Sequence, residues 1–595
     1  MSDAFFFHPA LFFFLGMWFL PRLSPGVRRI LLLVVPLGAF TIVTTLSHGM
    51  HWQAEVGNIT LVFGRVDKLA MVFAAVFSLM AIIGAIYGLH VDNPWEHTAS
   101  WGYVGSALGC VFAGDYLTLF LFWEGLMVSS VCLVFLRKTE ESLRAGYRYF
   151  LVHVFGGLLL LAGIFLLYHN SGDLSFVAIK EDGAGLAAYL ILAGFLLNAA
   201  VPPLHAWLPD AYGSATVMGA VFMCAYTTKT AVYALARAFP GFDILIPLGV
   251  IMALYGVVYA VLENDARRLL AYHIISQVGY MVTGVGIGTA LAINGACAHA
   301  YAHILYKALL FMGVGSVLHV TGRSKFSELG GLWRHMPWTL VFTLVGGLSI
   351  SAFPLFSGFV SKSMVISGAW GDHLPWAALL LTLASAGTFL HTGLKVPYYI
   401  WFWREKPPFE PPRGEAPLNM LIAMGIAAFY CIFIGVSPGY LYSLLPYPVD
   451  YQPYTAGHIM QSYQILLFTM LGFFLLINKL HPEPKIGLDL DWFYRRGGRW
   501  FMVFCRKVLF TIDDGLIKNL HATVALPLLR SFSRLADRHD KRIIDGVVDG
   551  SAEAVLHLGN RMRCMLQQGL ISRYVAKMLT VLAVTIFIAL LLTGK

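Results

Sequence analysis

Apolar runs near 20 residues long recur about 16 times between residues 4 and 593, and each is long enough to cross a bilayer as a helix. A helix is the element that satisfies every backbone N–H and C=O within one segment, as hydrocarbon demands. The composition agrees. Hydrophobic residues make up 58% of the 595 residues and charged residues 12%, whereas a soluble domain carries about 25% charged. An ordinary soluble enzyme and a disordered chain are both excluded. The first run, 4–21, lacks a basic n-region and a small-residue cleavage site, so it reads as a span rather than a leader. Lys and Arg cluster in the connections that follow odd-numbered spans, among them Arg28, Arg29, Arg137, Lys138, Arg144, Arg148, Arg267 and Arg268. Basic loops stay cytoplasmic, so both termini are predicted on the outer face of a multi-pass protein of the cell inner (plasma) membrane.

Residues 481–573 break the pattern. They are too polar to span, yet Phe504, Val508, Ile512, Leu516 and Leu520 recur every four residues, and Ile544, Val547, Val548, Val555, Leu558 and Met562 form a second stripe. Such segments read as amphipathic helices lying on a membrane or on neighbouring subunits, with Pro527 interrupting the first. Charge follows this division. Residues 1–478 hold 23 basic and 22 acidic residues, a net of +1, against 18 and 10 in 479–595, a net of +8, so the basic excess belongs to the tail. Anionic lipids and partner subunits are the expected counterparts, not nucleic acid.

An ionisable side chain at mid-bilayer costs about 2.5–3.5 kcal/mol or more, which makes each one a functional candidate. Glu124, Lys229, Lys307, Lys362 and Lys395 all lie in apolar runs. His299, His303 and Lys307 are spaced i, i+4, i+8 and share one helix face, a row that water can bridge into a proton path. Metal binding is not expected there, because Lys is a poor third ligand. The seven cysteines contain no CxxC pair, so iron–sulfur and zinc sites are not expected either. Two spans carry internal breaks: 187–206 at Pro202 and Pro203, and 338–361 at Pro354. Proline frees a carbonyl in the preceding turn, and broken helices in membranes line polar cavities. The breaks lie five spans apart, and an odd offset inverts the second copy, which suggests two inverted five-helix repeats. The fold expected is an all-α polytopic membrane protein: 1–98, three N-terminal spans; 99–238 and 239–403, the two repeats; 404–480, two further spans; 481–573, the amphipathic region; 574–595, a last span.

The strings FWEGLMVSS, PLHAWLPDA, TKTAVYALAR, LLAYHIISQVGYM, HAYAHILYKALLFMGVGSVLH and FPLFSGFVSKS carry a resemblance. In that order they resemble the antiporter-like subunits of respiratory complex I and of Mrp-type Na+/H+ antiporters. The tail resembles the end of the L-type subunit of complex I, the largest of its antiporter-like subunits. The surroundings of Lys229 resemble the D-type subunit of Mrp antiporters. The resemblance implies a half-channel in each repeat joined by a central polar axis. Glu124 matches the family's glutamate, His299, His303 and Lys307 its central axis, and Lys362 the lysine beside the second break. Asn198 stands where the family usually has a lysine, which puts the pairing of Glu124 with a first-repeat lysine in doubt: either Lys229 takes the role, or the first half-channel has a water-only step.

The function expected is proton translocation by a membrane subunit of a multisubunit complex, coupled to a quinone-reducing or related redox module. An Mrp-type Na+/H+ antiporter, with Na+ also transported, or an inorganic-carbon uptake complex is the alternative. A stand-alone transporter of an organic ion, with Trp207 and Tyr212 lining its pocket, is the rival of another class. No cofactor is expected on this chain, since no glycine-rich fingerprint follows a strand.

Overall fold

The computed structural model describes residues 6–410, 414–483, 489–512, 514–515, 518–566 and 571–593. The chain forms two units, Met1–Asp491 and Trp492–Lys595. The first begins with α1 (Pro9–Phe19) and α2 (Pro25–Thr45), a hairpin of β1 (Gly49–Val56) and β2 (Ile59–Val66), α3 (Lys68–Tyr87), α4 (Pro94–Phe112), α5 (Tyr116–Phe135) and α6 (Glu140–Ser171). Then come α7 (Leu186–Asn198), α8 (Trp207–Ser214), α9 (Val217–Met223), α10 (Thr227–Ala238), α11 (Leu245–Leu262), α12 (Ala266–Ile287) and α13 (Ala290–Thr321). The remainder is α14 (Pro337–Ile350), α15 (Ser357–Gly371), α16 (Pro375–Thr388), two π-helical turns (Phe389–Lys395 and Tyr398–Phe402), α17 (Leu418–Val436), α18 (Pro438–Leu444) and α19 (Ala456–Leu475). Among the described residues, ten helical segments are long and apolar enough to cross a membrane, which makes this a multi-pass membrane protein.

Sequence-coded caps set the helix ends. Asp115 accepts from the Thr118 N–H and opens α5, Asp265 accepts from Arg267 and Arg268 and opens α12, and Thr139 with Ser142 forms a capping box on α6. Helices α6 and α13 both end on a glycine in the left-handed region, Gly172 and Gly322.

Those features recur at a constant shift. Asp115 bridges Ser175, and 150 residues on Asp265 bridges Lys325. Phe176 N–H donates to Gly114 O, and Phe326 N–H to Asn264 O, each at 2.9 Å. Helices α6 and α13 each have 32 residues and correspond end to end at the same shift. The breaks match too, with the shift grown to 152 residues. Val201 N–H reaches back to Leu196 O, and Phe353 N–H to Leu348 O, both at 3.1 Å, and Ala200 and Ala352 have φ of 61° and 57°. Two copies of one unit, each with a broken helix, thus stand in the chain.

Three features differ from the expectation. Residues 49–66 form a hairpin turned at Gly57 (φ 63°), because His51 to Val66 alternate in a strand period. The span expected at 216–238 is broken at 224–226 without proline or glycine, and the span at 374–402 relaxes into π-helical turns. The second half of the 338–361 span also runs on to Gly371, so Lys362 lies inside α15 rather than at a helix end.

The second unit holds helices at Leu526–His539, Asp545–Leu566 and Ile571–Thr593, entered from Asp491–Phe504. Pro527 follows directly on a π-helical turn, His521–Ala525, so the helix passes it with a widened turn rather than ending there. The stripe Ile544, Val547, Val548, Val555, Leu558 and Met562 is exposed. Leu516, one position of the first stripe, lies outside the described residues.

Candidate functional site

The row His299, His303 and Lys307, with Gln277 and His273, rides on the two most enclosed of the membrane-length helices. The apolar window of α12 is 100% buried, and that of α13 is 78% buried. His299, His303 and Lys307 are all buried along α13, as the spacing predicted. His299 Nδ1 lies 3.3 Å from Ser361 Oγ of α15, and its Nε2 lies 3.4 Å from Tyr306 Oη. Among the described residues, neither ring nitrogen of His303 nor Lys307 Nζ has a hydrogen-bond partner. Gln277 of α12 extends the row. It lies 3.5 Å from Tyr306 Oη and donates to Thr388 Oγ1 at 3.3 Å. His273, without a protein partner, lies 6.0 Å from the His391 ring on the first π-helical turn. Buried polar atoms left this way cost about 1–3 kcal/mol each unless water meets them, so the row marks a place for water.

The remaining lysines occupy a different kind of site. Lys229 Nζ donates to Cys224 O at 2.7 Å and to Thr228 Oγ1 at 3.0 Å. Lys362 Nζ donates to Ile350 O at 2.8 Å and lies 5.1 Å from the centre of the Tyr280 ring. Lys395 Nζ donates to Val261 O at 2.8 Å and Glu263 O at 2.9 Å. Each ammonium meets carbonyls left open at a helix C-terminus, where the helix dipole favours a cation. The breaks after α9 and α14 therefore create the sites that hold Lys229 and Lys362. All three are enclosed by protein, with Lys229, Lys362 and Lys395 0%, 1% and 3% exposed.

The first copy is furnished otherwise. Near the end of α7 the Leu197 carbonyl accepts from the Ala200 N–H at 3.0 Å and from the Trp207 indole N–H at 3.1 Å, both neutral donors. Asn198 is buried, and both atoms of its amide lack a partner. Glu124 Oε1 is buried without a partner, and Glu124 forms no ion pair among the described residues. His153, 150 residues before His303, stacks on Tyr149 at 4.0 Å and meets the Trp207 ring edge-on at 4.4 Å. The broken helices bring Pro202, Pro203 and Pro354 next to these groups in sequence, but the acceptors that matter are the carbonyls before them.

A second cluster surrounds the first break. Asp210 pairs with Arg148 at 2.9 Å and Arg268 at 3.6 Å, and Arg268 pairs with Glu263 at 3.2 Å. His205, in the break itself, bonds the Asp489 carboxylate at 3.1 Å; Tyr272 donates to it at 2.6 Å, and Tyr255 donates as well. Burial alone would raise the Asp489 carboxyl, but these bonds outweigh it and hold the group at about 2. Sequence reasoning passed over His205, His273, Gln277, His391 and Asp489. The histidines were visible as polar residues in apolar runs; Asp489 carried no local signal.

The architecture defines a class: a multi-pass membrane protein built on two copies of a broken-helix unit with titratable residues enclosed between them. Residues 113–388 match the model of the NADH:quinone oxidoreductase/Mrp antiporter transmembrane family. The chain is 30% identical over 425 residues to the D-type subunit of the Na+/H+ antiporter of Alkalihalophilus pseudofirmus, covering 68% of this chain and 85% of that one. It is 26% identical to the chloroplastic NAD(P)H-quinone oxidoreductase subunit 5 of Chara vulgaris, over 88% and 85% of the two chains. Among solved structures it superposes on a chain of the membrane-bound sulfane sulfur reductase, an archaeal respiratory membrane complex, with a TM-score of 0.68 and 23% identity, over 97% and 99% of the chains. The protein belongs to the NADH:quinone oxidoreductase/Mrp antiporter family of membrane subunits.

Proposed function

We propose that this chain moves protons across the membrane as one subunit of a multisubunit complex, through a hydrated row formed by His299, His303 and Lys307 and fed by Lys229, Lys362, Lys395 and Glu124. The observation that carries it is the contrast on the enclosed helices: Lys307 and His303 are buried without protein partners, while Lys229, Lys362 and Lys395 are held at helix C-termini. Water at the unpartnered atoms links the two kinds of site, and protons pass along it. Glu124 acts on the nearest lysine by charge. A Glu–Lys contact at about 4 Å is worth about 4 kcal/mol at an effective dielectric near 20, enough to change the protonation of a buried amine.

The chain binds no cofactor in this reading, and energy comes from partner subunits with a redox module. Residues 99–238 and 239–403 are the two half-channels. The exposed stripe of 481–573 docks against neighbouring membrane subunits and anionic lipid, with both termini on the outer face of the plasma membrane. Cation/proton antiport is the second reading, favoured by the similarity to the Na+/H+ antiporter chain of Alkalihalophilus pseudofirmus.

Reconstitution of the whole complex in liposomes tests the proposal. Lys307→Ala and Glu124→Gln are each expected to reduce coupled proton movement by about a hundredfold or more, with the complex assembled as before. Near-normal pumping in both variants sinks the mechanism. A Na+ requirement in the same assay would select the antiport reading, and transport by the isolated chain would select the stand-alone transporter.

A further inference from the structure

Gly157 stands on α6 at the position that corresponds, 150 residues later, to Lys307 on α13. The space that a Cβ would take at Gly157 is filled by the Glu124 carboxyl group. Oε1 is its nearest atom, with Cδ at 3.1 Å and Oε2 at 3.5 Å. The other glycines of the helix serve ordinary packing. Gly156 faces the Leu197 side chain, and Gly163 faces the backbone of α7, at Ile191 N (2.8 Å) and Ala187 O (2.9 Å). Among the described glycines, Gly157 is the one whose Cβ space holds a carboxylate. Oε1 is also buried with no hydrogen-bond partner among the described residues, so none of them fixes it there by donation.

We infer that Gly157 is a positioning residue for Glu124: its missing side chain seats the carboxyl group against α6, at the place where the second copy carries the Lys307 side chain. The two copies thus put charges of opposite sign at equivalent points of one scaffold, an acid lent from α5 in the first and a base rooted in α13 in the second. The inference rests on the reading of Glu124 as part of the proton path. It also explains how a glutamate keeps a defined place where Asn198 supplies no cation to hold it.

A methyl group at Gly157 meets only the far end of a flexible side chain and no backbone, so Gly157→Ala folds and turns the Glu124 carboxyl out of its seat. The helix itself gains slightly, since alanine is the better helix former. The experiment compares Gly157→Ala, Glu124→Gln, Glu124→Asp and the double variant Gly157→Ala/Glu124→Asp in the intact complex. It measures assembly and the rate of proton movement as a function of pH. A displacement near 1 Å in such a site costs up to about a hundredfold, so Gly157→Ala is expected to assemble normally, to run about tenfold slower and to shift its pH midpoint. Aspartate is one methylene shorter and fits beside the new methyl. The double variant is therefore expected to run faster than Gly157→Ala, a coupling that independent sites would not show.

Wild-type rates in Gly157→Ala alongside an inactive Glu124→Gln overturn the inference and leave the role of Glu124 standing. A slow Gly157→Ala whose pH midpoint is unchanged, and which aspartate does not rescue, shows a packing role and also overturns it. Wild-type rates in Glu124→Gln reject the reading of Glu124 itself.

Discussion

The two copies of the repeated unit use the same backbone device and complete it with different chemistry. Each has a helix stopped before a proline. In the second copy the Lys362 ammonium closes the carbonyl of Ile350, the last residue of α14; in the first the Trp207 indole donates to the carbonyl of Leu197, one residue before the end of α7, which the Ala200 N–H also meets at 3.0 Å. An indole N–H is a permanent neutral donor, whereas an ammonium can lose its proton and its hold on the carbonyl together. The same contrast recurs one helix earlier, where Gly157 in the first copy matches Lys307 in the second. A repeated fold therefore does not imply a repeated function. The second copy carries its titratable bases on its own broken helix and on α13, while the first depends on Glu124 and on Lys229 at a separate break.

The largest effect should come from the closures themselves. Lys362→Met removes the titratable donor and is expected to stop coupled proton movement, by about a hundredfold, in a complex that still assembles. Trp207→Phe removes one of two neutral donors, since the Ala200 N–H still meets the carbonyl, at about 1 kcal/mol of stability, with the transport rate per assembled complex changed less than about threefold. Thermal unfolding and proton flux measured on the same preparations decide the matter. Equal losses of flux in the two variants would break the distinction between a gating donor and a packing donor.

An intermediate effect is expected at Asn198. Its amide is buried with neither atom partnered, so the position already tolerates a polar group with no fixed bond. Asn198→Lys places a base in the first copy near its own break and should assemble, with proton movement within about threefold of wild type. A misassembled Asn198→Lys would show that the first copy has been repacked around a neutral side chain and cannot regain the second copy's chemistry.

Both copies were visible in the sequence because lipid imposes a strong rule. A span must be long, apolar and helical, and a proline inside it must strand a carbonyl. Pro202 and Pro354 marked the breaks on that ground, and the spacing of His299, His303 and Lys307 fixed their common helix. The break at 224–226 was hidden because CAY contains neither proline nor glycine, and the contacts that hold it open are tertiary or lie past the break: Tyr103 accepts from the Thr227 N–H, and Lys229 closes Cys224 O. The seat of Glu124 was hidden for a related reason, since a glycine in an apolar helix usually reports close packing. Asp489 was least legible of all. It follows a polar stretch with no periodicity, and its partners lie more than two hundred residues earlier.

Asp489 is also where the smallest effect is expected, and where the first copy has a contact for which the described residues of the second offer no counterpart. The carboxylate accepts from Tyr255 and Tyr272 and bonds His205 inside the first break. Its carboxyl is held at about 2, against an ordinary value of 3.8. A depressed carboxyl contributes stability that is complete above the ordinary value and lost as pH falls through the folded one. The contact should therefore be intact from neutral pH down to about 4 and fail between about 4 and 2. Asp489→Asn keeps the shape and removes the charge. It should lower the unfolding midpoint of the complex by a few degrees at pH 7, consistent with about 1–3 kcal/mol for bonds to a charged acceptor. The difference from wild type should stay constant down to about pH 5 and shrink below about 4. A difference that grows with acidity would mean that Asp489 is protonated in the folded protein, and that the first break is held by neutral contacts throughout.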